Sequence, residues 1–267
     1  MSDARPIGVF DSGVGGLTVV RELLRQLPDE DIVYFGDTAR VPYGIKSKDT
    51  VIKFTFENIF FLLKFDVKQI VIACNTASSL ALPTIKRQFK TPLIGVIAPG
   101  AKEAVYATKN KKVGVIGTRA TINSGAYKQY IKKFAPSVKV YSLSCPLFVP
   151  LAEEGYLDSN ITYQVALEYL GPLKKLNVDT IILGCTHYPL LKPVIRKVVG
   201  KKVVLIDSAK QVVAEVKEIL KEEGLESNKQ RKGQVKFFVS DETEFFTRVG
   251  RRFLGNYLKD VKKVDNV

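Results

Sequence analysis

Two short segments of this chain, Ala73-Cys74-Asn75-Thr76 and Gly184-Cys185-Thr186-His187, each follow a run of β-branched and aliphatic residues, Gln69-Ile70-Val71-Ile72 and Thr180-Ile181-Ile182-Leu183. Each run reads as a buried strand, so each segment places a thiol at a strand end, where open α/β sheets keep their chemistry. The two segments hold two of the three cysteines, and the second also holds the single histidine. Two thiols delivered in matching frames suit a reaction that needs one acid or base on each side of a substrate.

Other readings compete at the same residues. A buried cysteine often acts only as a small apolar side chain, although two at equivalent positions weaken that explanation. Cys74, Cys185 and His187 could supply three metal ligands, but a Cys-x-His pair lacks the Cys-x-x-Cys spacing usual in structural zinc sites. A Cys-His hydrolase would leave the second strand-end cysteine without a role. Cys145, in Ser144-Cys145-Pro146, has no polar companion comparable to Asn75-Thr76 and is assigned to packing.

Three further segments lie where strands should end. Asp11-Ser12-Gly13-Val14-Gly15-Gly16 is a glycine-rich turn whose backbone amides could face an anion at a helix N-terminus. It lacks the Gly-Lys-Ser/Thr ending of a P-loop and the ribose-binding acid of a dinucleotide fingerprint. Pro42-Tyr43-Gly44 would present a phenol and a bare backbone to a cleft. In Gly117-Thr118-Arg119-Ala120-Thr121, the hydroxyls and helix-start amides could hold a carboxylate.

The elements that must carry these segments alternate along the chain. Strands are expected at Ile7 to Phe10, Ile32 to Phe35, Gln69 to Ala73, Leu93 to Ile97, Val113 to Ile116, Val138 to Leu143, Thr180 to Leu183, Val203 to Ile206 and Val235 to Val239, mostly with room for a helix between them. That order predicts a parallel, doubly wound α/β sheet with right-handed crossovers. A final helix is expected from a capping box, Asp241 with Glu244, and its residues Phe245, Phe246, Val249, Phe253, Leu254 and Tyr257 read as core. Ile7 to Asp11 aligns with Val113 to Gly117, and Ile70 to Thr76 with Ile181 to His187, at nearly equal offsets. The repeat implies two related, pseudo-symmetric halves with a ligand crevice between them. Residues 1–98 and 208–267 are assigned to a first, discontinuous domain and 99–207 to a second, with the junction near Ala98-Pro99-Gly100.

The 267 residues, 46% of them apolar and 25% charged, are ordinary globular composition. No apolar run approaches the roughly 20 residues that span a bilayer, and Met1-Ser2-Asp3-Ala4-Arg5 lacks signal-peptide architecture. A cytoplasmic protein with reduced thiols and no membrane association is expected. The net charge of +14 is scattered along the chain, so it reads as a solvated basic surface that favours small anionic substrates; nucleic acid is not the expected partner.

These motifs together resemble the bacterial glutamate racemases of the cofactor-independent aspartate/glutamate racemase superfamily. The resemblance runs from Ile7 to about Ser208 and is carried by Gly8 to Leu17, Pro42-Tyr43-Gly44, Ala73 to Ala77, Val149-Pro150-Leu151-Ala152-Glu153 and Gly184 to Pro189. It implies interconversion of L- and D-glutamate without cofactor or metal, supply of D-glutamate for peptidoglycan, and a homodimer. It also implies roles: Asp11 assisting Cys74, and Glu153 with His187 assisting Cys185. From the sequence alone only the nearness of His187 to Cys185 follows, and Glu153 beside Glu154 would otherwise pass for an exposed helix-end acid.

Racemisation removes a hydrogen from one face of a carbon and returns a proton to the other. With each sulfur roughly 3–3.5 Å from that carbon, the sulfurs would stand about 6–7 Å apart, far beyond disulfide contact at about 2.05 Å. One must be a thiolate while the other is a thiol. The α-hydrogen is far less acidic than any thiol, so donors must surround the developing charge. Asp11, Ser12, Asn75, Thr76, Thr118, Thr121, Thr186, His187 and the Tyr43-Gly44 backbone are the expected substrate contacts. An aspartate racemase, another isomerase of dicarboxylates, and a binding protein with inert cysteines are the alternatives.

Overall fold

The computed structural model describes residues 3–228 and 231–265, so Met1-Ser2, with which the expected leaderless N-terminus begins, lie outside the described residues. Among the described residues, ten strands form two sheets. They are β1 (Ile7–Asp11), β2 (Ile32–Gly36), β3 (Gln69–Ile72), β4 (Leu93–Gly95), β5 (Lys112–Gly117), β6 (Lys139–Ser144), β7 (Thr180–Gly184), β8 (Val204–Asp207), β9 (Val235–Val239) and β10 (Lys262–Lys263). The first sheet has the order β10-β9-β2-β1-β3-β4 and the second β6-β5-β7-β8. Every pairing is parallel.

The repeat seen in the sequence is a repeat of position. β1 lies between β2 and β3, and β5 lies between β6 and β7. Apart from Asp11 at the end of β1 and the half-buried Lys112 at the start of β5, both central strands are apolar and buried on both faces, as parallel strands covered by helices must be. After β8 the chain returns to the first sheet through helix Ser208–Glu222, and β9 pairs with β2. The expected junction at Ala98-Pro99-Gly100 falls in the first turn of helix Ile97–Ala107, where a proline is tolerated because the first amides have no helical partner.

The core is built in three layers. One apolar cluster joins the two sheets, with Val9 and Tyr34 from the first, Val115 and Ile182 from the second, and Val212, Val216, Phe246 and Phe253 from helices between them. The outer face of each sheet packs a cluster of its own. Each large side chain so buried contributes about 1.5–3 kcal/mol, so the shared cluster ties the lobes into one body. Cys145 is fully buried in the second lobe's outer cluster with Phe148 and Tyr188, as its assignment to packing expected.

Three local expectations fail. The last long helix spans Thr243–Leu254 with Glu242 at its N-cap and no side-chain cap, so the capping box of Asp241 and Glu244 is not formed. Asp241 instead accepts no helix amide; its own N–H donates to Thr38 and its carboxylate faces Lys263. Phe246, Val249, Phe253 and Leu254 are core, but Phe245 is 38% exposed and Tyr257, beyond the helix end, is 72% exposed. Strand β10 has only two exposed lysines and no apolar signal. Among the described residues, no helix is long and apolar enough to cross a membrane.

Candidate active site

Residues that directly follow β1, β3, β5 and β7, namely Ser12, Cys74 to Thr76, Thr118-Arg119 and Cys185 to His187, line one cavity of about 310 Å³. Tyr43, Gly44 and Glu153 complete its polar wall, and Val41, Pro42, Ile45, Pro146, Val149 and Pro150 close it with apolar surface. The two sulfurs therefore enter one space from opposite lobes. The three cysteines are all free and buried.

Cys74 occupies the N-cap of helix Asn75–Leu80. Its Sγ lies 3.6 Å from Ser12 Oγ. Burial pushes its thiol up and the Asp11 carboxylate adds to this; the Ala77 N–H and Ser12 hydroxyl work against them, leaving it at about 12. A neutral thiol is the resting form of this group.

Asp11 is wholly buried, so the glycine turn that follows is arranged around it. Its carboxylate accepts the Gly13 N–H at 3.1 Å, the Gly16 N–H, and the Thr186 hydroxyl at 3.4 Å. The anion held by these amides is thus the chain's own carboxylate, and the turn does not present them to a ligand. Burial raises the Asp11 carboxyl above its usual value, while the facing His187 and the donors pull it back only in part. The glycines have a steric reason too. A Cβ on Gly15 would come 2.7 Å from His187 Nδ1, and one on Gly16 would come 2.5 Å from Asp11 Cβ.

Cys185 has a different neighbour. Its Sγ lies 3.7 Å from His187 Nδ1, and the Nε2 of that ring lies 2.9 Å from Glu153 Oε1. Burial alone would lower the imidazole's proton affinity, but Cys185 and Glu153 raise it to about 10. At neutral pH the ring is an imidazolium, donating from both nitrogens. A cation in that position is a charge partner for a thiolate.

The hydroxyls meet across the lobes. Thr76 Oγ1 lies 3.0 Å from Thr118 Oγ1 and 3.2 Å from Thr121 Oγ1, and Thr118 caps helix Arg119–Asn123. Thr121 and Asp11 stand behind the cavity wall, whereas Ser12, Asn75, Thr76, Thr118 and Thr186 line it. The Asn75 Nδ2 donates to Tyr127 at 2.8 Å, and Tyr127 reaches Ser208. Tyr43 corrects one expectation. Its hydroxyl donates to Asp37 and accepts from Asn58, so the phenol points away from the cavity and only the ring and backbone of Tyr43 reach the wall. Gly44 abuts Thr118, whose Cβ would stand 2.7 Å from an added Cβ.

Arg119 also lines the cavity, although from the sequence only the hydroxyls and amides of its segment are expected there. A basic residue at a strand end, in a segment already read as carboxylate-binding, was the available signal. Among the described residues, no group of three His, Cys, Asp or Glu side chains is arranged to hold a metal ion.

The Asp/Glu/Hydantoin racemase family model matches residues 7–216. The glutamate racemase of Geobacter metallireducens is 50% identical over 260 residues, 97% of this chain and 96% of that one. The crystal structure of a glutamate racemase isoform from Bacillus anthracis superposes with a TM-score of 0.94 at 41% identity, covering 98% of this chain and 97% of that one. Glutamate racemase from Francisella tularensis, solved in complex with D-glutamate, gives a TM-score of 0.92 at 42% identity and 98% coverage of both. With the model matching most of its length and full-length relatives at this identity, the chain belongs to the Asp/Glu/Hydantoin racemase family.

Proposed function

We propose that this chain interconverts L- and D-glutamate by proton transfer between two thiols, without a cofactor. The observation that carries the reading is the entry of Cys74 and Cys185 into one cavity from the ends of equivalent strands, each with its own acid or base nearby. A thiolate on one face takes the α-hydrogen as a proton and becomes a thiol. The electron pair left on carbon spreads into the adjacent carboxylate, and the opposing thiol delivers its proton to the other face. The opposite enantiomer runs the same steps with the sulfurs exchanged.

In this reading Asp11 serves Cys74, and Glu153 with His187 serves Cys185. Ser12, Asn75, Thr76, Thr118, Thr186 and the Tyr43-Gly44 backbone hold the ammonium and carboxylates, with Asp11 and Thr121 supporting from behind. Donors already fixed by the fold need little reorganisation as charge develops, and the apolar part of the wall excludes water. Residues 1–98 with 208–267 and residues 99–207 act as the two domains that hold the substrate in the cleft between them. The product supplies peptidoglycan synthesis in the cytoplasm, and the working form is a homodimer.

Proton NMR of L-glutamate in heavy water, with circular dichroism on the same metal-free and cofactor-free sample, tests the activity. Loss of the α-proton signal together with decay of the dichroism to zero is expected. If folded protein changed neither, glutamate would be the wrong substrate, and aspartate and other amino acids would follow.

A further inference from the structure

Helix Thr243–Leu254 lies beyond the residues matched by the family model and packs with the first lobe, yet its last turn reaches the second. Arg252 Nη1 donates to the carbonyl oxygen of Glu153 and stands 3.4 Å from that of Ala152. Carbonyls in a helix's last turn lack amide partners and carry the negative end of its dipole, so a guanidinium is favoured there. Gly155, at φ +85°, leaves the space: a Cβ on it would come 2.7 Å from Arg252 Nη2. Phe253 is buried and sets its ring edge-on to His187, with centroids 5.9 Å apart and planes at 88°. One helical turn thus touches the backbone of Glu153 and the ring of His187.

We propose that Arg252 and Phe253 are positioning residues: the last turn of this helix holds Glu153 against His187, so proton handling at Cys185 depends on the first lobe being seated on the second. The proposal rests on the reading that Glu153 and His187 serve Cys185. The charged or titratable groups around His187 are Cys185 and Glu153 from its own lobe and Asp11 from β1. Helix Thr243–Leu254 adds Arg252 at the Glu153 end. Of the three groups that face the ring, Glu153 is the most exposed and sits on a helix of only six residues, so it is the partner that most needs an external hold. Without the Arg252 contact, Glu153 is released and the imidazolium loses a partner.

The test compares Arg252→Ala, Arg252→Lys, Glu153→Gln and the Arg252→Ala/Glu153→Gln double variant, assayed from both enantiomers across pH. Enantiomers have equal free energy in water, so kcat/KM must agree in the two directions for every variant. The informative readouts are therefore the pH profile and the split between kcat and KM. Arg252→Ala is expected to lower kcat about tenfold and to move the basic limb down by about one pH unit, a tenfold change in proton affinity. Arg252→Lys recovers most of both. Glu153→Gln moves the limb at least as far, and the double variant moves it no further. A parental profile in Arg252→Ala, with Glu153→Gln shifted, would overturn the positioning role and leave the site reading intact, even if the variant melted at a lower temperature. A parental profile in Glu153→Gln would remove the role of Glu153, and this inference with it.

Discussion

The two lobes deliver their thiols from equivalent strands, but the surroundings of those thiols are not equivalent. Cys74 faces a hydroxyl and a buried carboxylate, which leave it a neutral thiol at about 12. Cys185 faces an imidazolium whose other nitrogen is held by Glu153. The difference shows that a repeat can fix where two groups stand without fixing what surrounds them. Racemisation requires this inequality, because at any instant one sulfur must accept while the other donates.

The comparison breaks most directly at the sulfurs themselves. Cys74→Ser and Cys185→Ser should each lower racemisation on the order of 10²–10⁴-fold, the usual contribution of a positioned acid or base. Parental rates in either variant, measured by polarimetry, would end the two-thiol account. Next in size is Gly15→Ala, which puts a methyl group into Thr186 and His187 across the lobe junction. A misplacement of about 1 Å costs on the order of 10²-fold, and the damage should fall on the Cys185 side. Differential alkylation followed by mass spectrometry would therefore show Cys185 altered and Cys74 as in the parent.

Asp11→Asn sharpens the comparison from the other side. Removing the carboxylate charge takes away one of the three influences that push Cys74 up, the others being burial and Cys185, so its alkylation by iodoacetamide should begin at lower pH, with Cys185 changed less. Racemisation should fall about tenfold, less than the roughly 10²–10⁴-fold of a group that itself transfers the proton. A further effect is on stability and leaves the rate aside. His187 has its proton affinity raised from 6.5 to about 10 on folding, so its contribution is complete below pH 6.5 and lost as pH climbs to 10. Within that window one retained proton gives a slope of up to about 1.4 kcal/mol per pH unit. Chemical denaturation of His187→Gln across the window should show a shallower decline than the parent; an equal slope would mean that the ring does not hold its proton.

Much of this arrangement was legible in the sequence because parallel strands buried on both faces declare themselves as short aliphatic runs, as Ile70 to Ile72 and Ile181 to Leu183 do. The polar residues that end such runs then fall at one edge, which is why the sequence alone puts Cys74, Thr118 and Cys185 together. What failed was decided by contacts distant in sequence. The direction of the Tyr43 hydroxyl depends on Asp37 and Asn58, the partner of the glycine-turn amides on the burial of Asp11, and the exposure of Tyr257 on where its helix stops. β10 pairs with β9 through two lysines, a strand defined by its neighbour and not by its own side chains. Arg252 and Phe253 gave no local signal, since their relation to Glu153 and His187 spans about a hundred residues in one case and more than sixty in the other.

The position of β9 in the first sheet has a consequence for the growing chain. All four strands of the second sheet lie between Lys112 and Asp207, whereas the first sheet waits for Val235–Val239 to cover the outer edge of β2. A chain stopped after Asp207 would carry every strand of the later lobe and leave β2 with an open row of amides and carbonyls, the kind of edge that recruits other chains. During synthesis, the half that emerges first is the half completed last.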